Sequence, residues 1–169
     1  MTDPLEQQVR AELKKGRSKK EILKTLATAD TKEDVVWYLE QYPTEKKRKK
    51  IVWLNWLLVV AVLIVTVKKL YFIALIQLNA VAMDQFSPLL LVELLVPAIN
   101  FYALTKVIRY FRQGYQFIAV LALLALFRPE NRIMPDGALY LLAIALGVYL
   151  LLHLFPKRSK QGDAELLAE

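Results

Sequence analysis

The sequence predicts an all-α, polytopic helical membrane protein with about four transmembrane helices behind a small N-terminal cytosolic three-helix head. Three observations predict it. The basic run Lys46, Lys47, Arg48, Lys49, Lys50 abuts the uninterrupted apolar stretch from Ile51 to Val67, the pattern left where cations stay on the cytoplasmic side of an inserted helix. The chain is 56% hydrophobic yet 23% charged, which one aqueous globule rarely combines. The two properties are also segregated: more than half of the Lys and Arg precede residue 51, while 113–127 and 137–156 carry no Asp, Glu, Lys or Arg.

The head is read over residues 1–43. Asp3, Pro4 and Glu6 fit an N-cap, a first-turn proline and a capping box, and Gly16 supplies a stop. Ser18 with Glu21, and Asp30 with Glu33, repeat the capping-box spacing, and Pro43 ends the third helix. The apolar positions agree, with one stripe of Leu5, Val9 and Leu13, a second of Ile22, Leu23 and Leu26, and a third of Val35, Val36 and Leu39. So small a core sits near the lower limit for independent stability. The head is therefore expected either to rest on the membrane region or a second copy, or to capture a protein partner with Trp37, Tyr38 and Tyr42.

Residues 44–50 read as a basic juxtamembrane linker and 51–156 as the membrane domain. Ile51 to Val67 gives roughly 25 Å of helix, and flanking lysines can snorkel to cover a hydrocarbon core of about 30 Å. Lys68 and Lys69 are too few to turn a hairpin, so one long, bent or tilted helix over 51–83 is preferred to a span followed by a re-entrant or interfacial segment. Further spans are expected at 89–104, 115–127 and 138–155, the last ending at Pro156 before Lys157, Arg158 and Lys160. Residues 157–169 form a cytosolic tail.

Four spans with the N-terminus inside place the 46–50 run, the cations Lys106, Arg109 and Arg112, and the 157–160 cluster in the cytoplasm. Only Lys68, Lys69, Arg128 and Arg132 then lie outside. A five-span arrangement reverses that bias. Both termini are expected in the cytoplasm of a cell membrane, the inner membrane in a bacterium. With no apolar h-region in the first 45 residues, the first span is expected to serve as its own signal anchor.

Composition excludes several chemistries. There is no cysteine, hence no disulfide, thiolate ligand or cysteine nucleophile. The net charge of +7 sits beside apolar segments without an interleaved stacking surface, which argues for anionic lipid rather than nucleic acid. The 46–50 run and the trio Lys106, Arg109, Arg112, spaced by three on one helical face, are the candidate lipid contacts. No nucleotide-binding loop, nucleophile elbow or metalloprotease helix occurs, so no enzyme activity, cofactor or metal is expected.

Glu93 is the acidic residue set inside an apolar run, where an ionised carboxylate is costly. Pro97, four residues on, removes the N–H that would bond the Glu93 carbonyl and is expected to kink the helix. Asn100 falls on nearly the same face. Together they suggest a polar intramembrane site, set against the plainer reading of a carboxyl paired with Lys68, Lys69, Gln77 or Asn79. His153 is expected to be a helix-end or headgroup contact, Asn55 to pack or face the interface, and Ala143 with Gly147 to mark a close helix contact. Two functions follow: a non-enzymatic protein that scaffolds or regulates a partner through its head, or an oligomeric conduit for ions or small solutes that uses Glu93.

Overall fold

The computed structural model describes residues 3–28, 30–85 and 88–155. The expectations for Pro156, the 157–160 cluster and the rest of the cytosolic tail lie outside that set. Every regular element among the described residues is helical.

Capping chemistry starts the first two helices. Asp3 accepts the Leu5 N–H at 3.0 Å and Pro4 occupies the first position, where a missing N–H costs no bond, so α1 runs Pro4–Lys14. Gly16 ends it at φ +81°, a left-handed conformation open to glycine. Ser18 and Glu21 form the complete reciprocal capping box of α2, Lys19–Leu26. The third helix departs from expectation. Its N-cap is Thr31, so the Asp30 and Glu33 box does not form, and the Thr31 hydroxyl instead shares a 2.7 Å hydrogen bond with that of Thr28. That helix, α3, spans Lys32–Gln41. The three pack around Val9, Leu13, Ile22, Val35 and Leu39.

The linker is itself helical, α4 covering Glu45–Lys50 with Glu45 and Arg48 paired one turn apart at 3.4 Å. After Ile51 the chain enters α5, Val52–Ala82, 31 residues without interruption, about 46 Å long. The second apolar run is not the single helix expected over 89–104. It opens as a 3-10 helix, Pro88–Leu94, and becomes α6 only at Leu95–Ile108. Pro97 explains the break: an α-helix carried back through it would set the proline ring against the carbonyl of residue 93. Placing Pro97 in the first turn of α6 removes that conflict, so it starts a helix instead of kinking one.

The trio Lys106, Arg109, Arg112 is likewise divided. Lys106 lies in the last turn of α6, Tyr110 turns the chain at φ +57°, and Arg112 begins α7, Arg112–Ala125. The turn is closed by a bond of 2.9 Å from the Phe111 N–H to the Lys106 carbonyl. Gly114 permits it, since a Cβ there would stand 2.7 Å from the Val107 nitrogen. A 3-10 helix, Pro129–Arg132, leads to α8, Asp136–Leu154.

Helices α5 to α8 run up, down, up and down, with Asn55 against Tyr115 near the head, Gly147 against Ala119 midway and Lys68 against Asp136 at the far end. Their core joins Leu58, Val62, Ala103, Val107, Ile118 and Leu150. Three helical segments are long and apolar enough to cross a membrane: Val52–Ala82, Leu91–Ile108, which is α6 together with the last residues of the 3-10 helix before it, and Asp136–Leu154. The expected fourth, α7, has 14 residues, about 21 Å, and falls short by length. Beyond Lys69, α5 continues for roughly 20 Å past the start of α8.

Candidate functional site

Two regions gather polar side chains on this apolar frame: the far end of the bundle and the junction with the head. At the far end, Lys68 donates to both Asp136 carboxylate oxygens at 2.7 Å. The carboxylate ion-paired with Lys68 is therefore Asp136, while Glu93 shares a cleft with Lys69. Below this ion pair all four bundle helices wall a cavity of about 190 Å³. Its apolar lining includes Val62, Ile118 and Ala122, and its rim carries Lys69, Arg128, Asn131 and Tyr140. Asn100 lines it too, donating at 3.1 Å to Thr66, whose hydroxyl donates at 2.7 Å to the Val62 carbonyl.

Glu93 does not enter that cavity. It is exposed on the 3-10 helix and lines a wider cleft of about 510 Å³ with Lys68, Lys69, Arg128, Glu130 and Asp136. Pro97 is buried at the base of α6. Glu93 and Asn100 thus line two adjoining spaces, the wider cleft and the inner cavity, which share Val65, Lys69, Arg128, Asn131 and Tyr140. Asn131 and Arg132 stabilise the far loop by donating at 2.8 Å to the carbonyls of Ala125 and Leu126 at the end of α7, where Ala125 also accepts the Arg128 N–H at 3.2 Å. Among the described residues no group of three His, Cys, Asp or Glu could hold a metal ion.

At the junction the sequence-predicted aromatics are largely engaged within the chain. Tyr42 is buried and donates to Glu6, Tyr38 donates to Asp3 at 2.8 Å, and Trp37 stays 42% exposed with its ring edge on Tyr38. Burial first, then the Glu6 carboxylate, pushes the Tyr42 phenol well above its ordinary range. Burial and Asp3 raise that of Tyr38 to about 12. What joins the head to the bundle is Phe111, 6% exposed. Its ring meets Tyr42 at 5.2 Å and Trp37 at 6.0 Å, and it belongs to the same core cluster as Val9 and Leu39. An open cleft of about 540 Å³ remains between head and turn, with Trp37, Lys106, Arg109 and Gln113 on its walls.

The basic residues divide by surroundings. Lys46, Lys49 and Lys50 are exposed on α4, while Lys47 and Arg48 are half-buried. The Arg48 guanidinium lies 5.1 Å over Tyr110, and Lys106 lies 4.8 Å over Phe111. Arg112 is half-buried, with its Nε out of solvent and unbonded among the described residues. His153 stacks on Tyr149 with ring centroids 5.6 Å apart, and Ala143 and Gly147 are both buried in α8, Gly147 facing Ala119 of α7.

Sequence reasoning missed Phe111, Asp136 and the buried bond from the Tyr115 hydroxyl to Asn55 at 2.6 Å. Each partner lies dozens of residues away, so no local spacing signals it. Compared with known proteins, the chain matches no family, no curated protein and no solved structure.

Proposed function

We propose that the protein is a four-span component of a cell membrane, the inner membrane in a bacterium, with both termini cytoplasmic, and that it holds or regulates a protein partner through its head without chemistry of its own. The observation that carries this reading is the core shared by head and bundle. Because Phe111 belongs both to the α6–α7 turn and to the head core, a partner that grips the head also loads the turn between two bundle helices. Trp37, exposed beside Lys106 and Arg109, gives that partner an aromatic and cationic rim of the kind that anchors protein interfaces.

Two arguments support the four spans. The α6–α7 turn and the start of α8 stand at opposite ends of the bundle, so if α5, α6 and α8 cross a bilayer, α7 crosses with them. Five exposed aromatics also mark the two ends, Trp53 and Trp56 near the head, and Tyr71, Phe72 and Phe127 at the far end, while Tyr102 and Tyr149 stand between them. Along α5 the two groups are about 25 Å apart, close to a hydrocarbon thickness, and such rings favour the interface. Conduction by an oligomer draws less support, since Glu93 stands outside the inner cavity.

The test is a photo-crosslinking residue at position 37, replacing Trp37, in native membranes. A discrete adduct of one partner is expected. A chain that yields only self-adducts and lipid adducts contradicts the reading.

A further inference from the structure

A second, small cleft of about 30 Å³, which shares Tyr42 and Arg109 with the Trp37 cleft, is lined by Arg10 and Lys14 of α1, Arg48 of α4, and Arg109 beside Tyr110 in the α6–α7 turn. Four cations from three separate elements thus converge where the head meets the bundle. The carboxylates nearby do not balance them. Glu45 pairs with Arg48 at 3.4 Å, and Glu6 stands 3.9 Å from Arg10 while it accepts the Tyr42 hydroxyl. Lys14 and Arg109 have no carboxylate within ion-pair distance among the described residues. Drawing these charges together when the head docks is unfavourable unless an anion enters the gap.

The position of the cleft specifies the anion. Arg48 stands three residues before Ile51, where the long apolar helix begins, and Arg109 directly follows Ile108, where α6 ends, so in the proposed topology the cleft lies at the depth of cytoplasmic-leaflet headgroups. Guanidinium groups are suited to phosphate oxygens. We infer that this cleft binds the phosphate of an anionic phospholipid, and that the bound headgroup holds the head against the α6–α7 turn. The inference deepens the proposed function and rests on its docked, cytoplasmic head. It makes docking responsive to the lipid composition of the leaflet: anionic lipid keeps the head seated, and a neutral leaflet releases it.

The experiment measures the distance between spin labels at Ala11→Cys and Gln113→Cys in the full chain, which has no native cysteine, in nanodiscs of phosphatidylcholine with or without phosphatidylglycerol. A single short distance is expected with phosphatidylglycerol and a broad distribution without it, and inorganic phosphate added to neutral discs should not restore the short distance. Lys14→Gln and Arg109→Gln should each lower the docked-to-free ratio in the anionic discs about fivefold. Lys20→Gln with Lys24→Gln, head cations outside the cleft, should leave it unchanged.

A short distance in both lipids overturns the lipid site and leaves the docked head standing. A broad distribution in both defeats the two together. Restoration by inorganic phosphate, or an equal loss in the Lys20 and Lys24 variant, also overturns the site, the first by assigning it to a free anion and the second by reducing it to overall charge.

Discussion

Asn55 and Tyr115 show how a polar residue is accommodated in apolar packing. Both are buried, and the phenol donates to the amide oxygen at 2.6 Å across the α5–α7 contact. Removing one partner strands the other, at a cost of about 1–3 kcal/mol, whereas removing both can be nearly neutral. Tyr115→Phe and Asn55→Leu are therefore each expected to lower thermal stability in detergent, and the double variant to recover most of the loss. Additive losses would show that the bond is not what the two residues contribute. Asn55 is conspicuous in the sequence, but Tyr115 is not, because the two meet only through the antiparallel path of α5, α6 and α7. Glu93 and Asp136 make the same point in reverse. The isolated acid in an apolar run attracts notice, yet the acid at a helix start directly after Pro135 is the one that meets Lys68.

At the scale of elements, long apolar runs and cap residues located most helices to within a few positions, since hydrophobic continuity and N-cap chemistry are both local signals. The errors fall where a non-local or steric term decides. Pro97 moves the start of α6 to Leu95, and the left-handed Tyr110 with the close Gly114 contact ends α6 where cation spacing suggested that it continued. That turn positions Phe111 as the joint between head and bundle. Truncating a buried phenylalanine typically costs about 3–5 kcal/mol, so Phe111→Ala is expected to raise protease cleavage between head and α5 by at least about two orders of magnitude while the bundle still melts cooperatively. Unchanged cleavage would mean that the head is held by other contacts.

For the whole molecule, segregated charge and length of apolar run identified a helical chain with several segments able to cross a bilayer, because those are global averages that survive local error. The number of such segments was harder to read: α7 is 14 residues long, and its partners, not its length, set its level in the bundle. The distal part of α5 extends past the far end with Leu78 and Met83 exposed, an overhang that a hydropathy profile cannot tell from a further span. The most direct test labels single cysteines in intact membranes with an impermeant thiol reagent, at Lys46→Cys, Gln85→Cys, Gln113→Cys and Glu130→Cys. Positions 46 and 113 should react only from the cytoplasmic side and positions 85 and 130 only from the other. Reaction of 113 and 130 from the same side would show that α7 does not cross, and the four-span arrangement would be wrong.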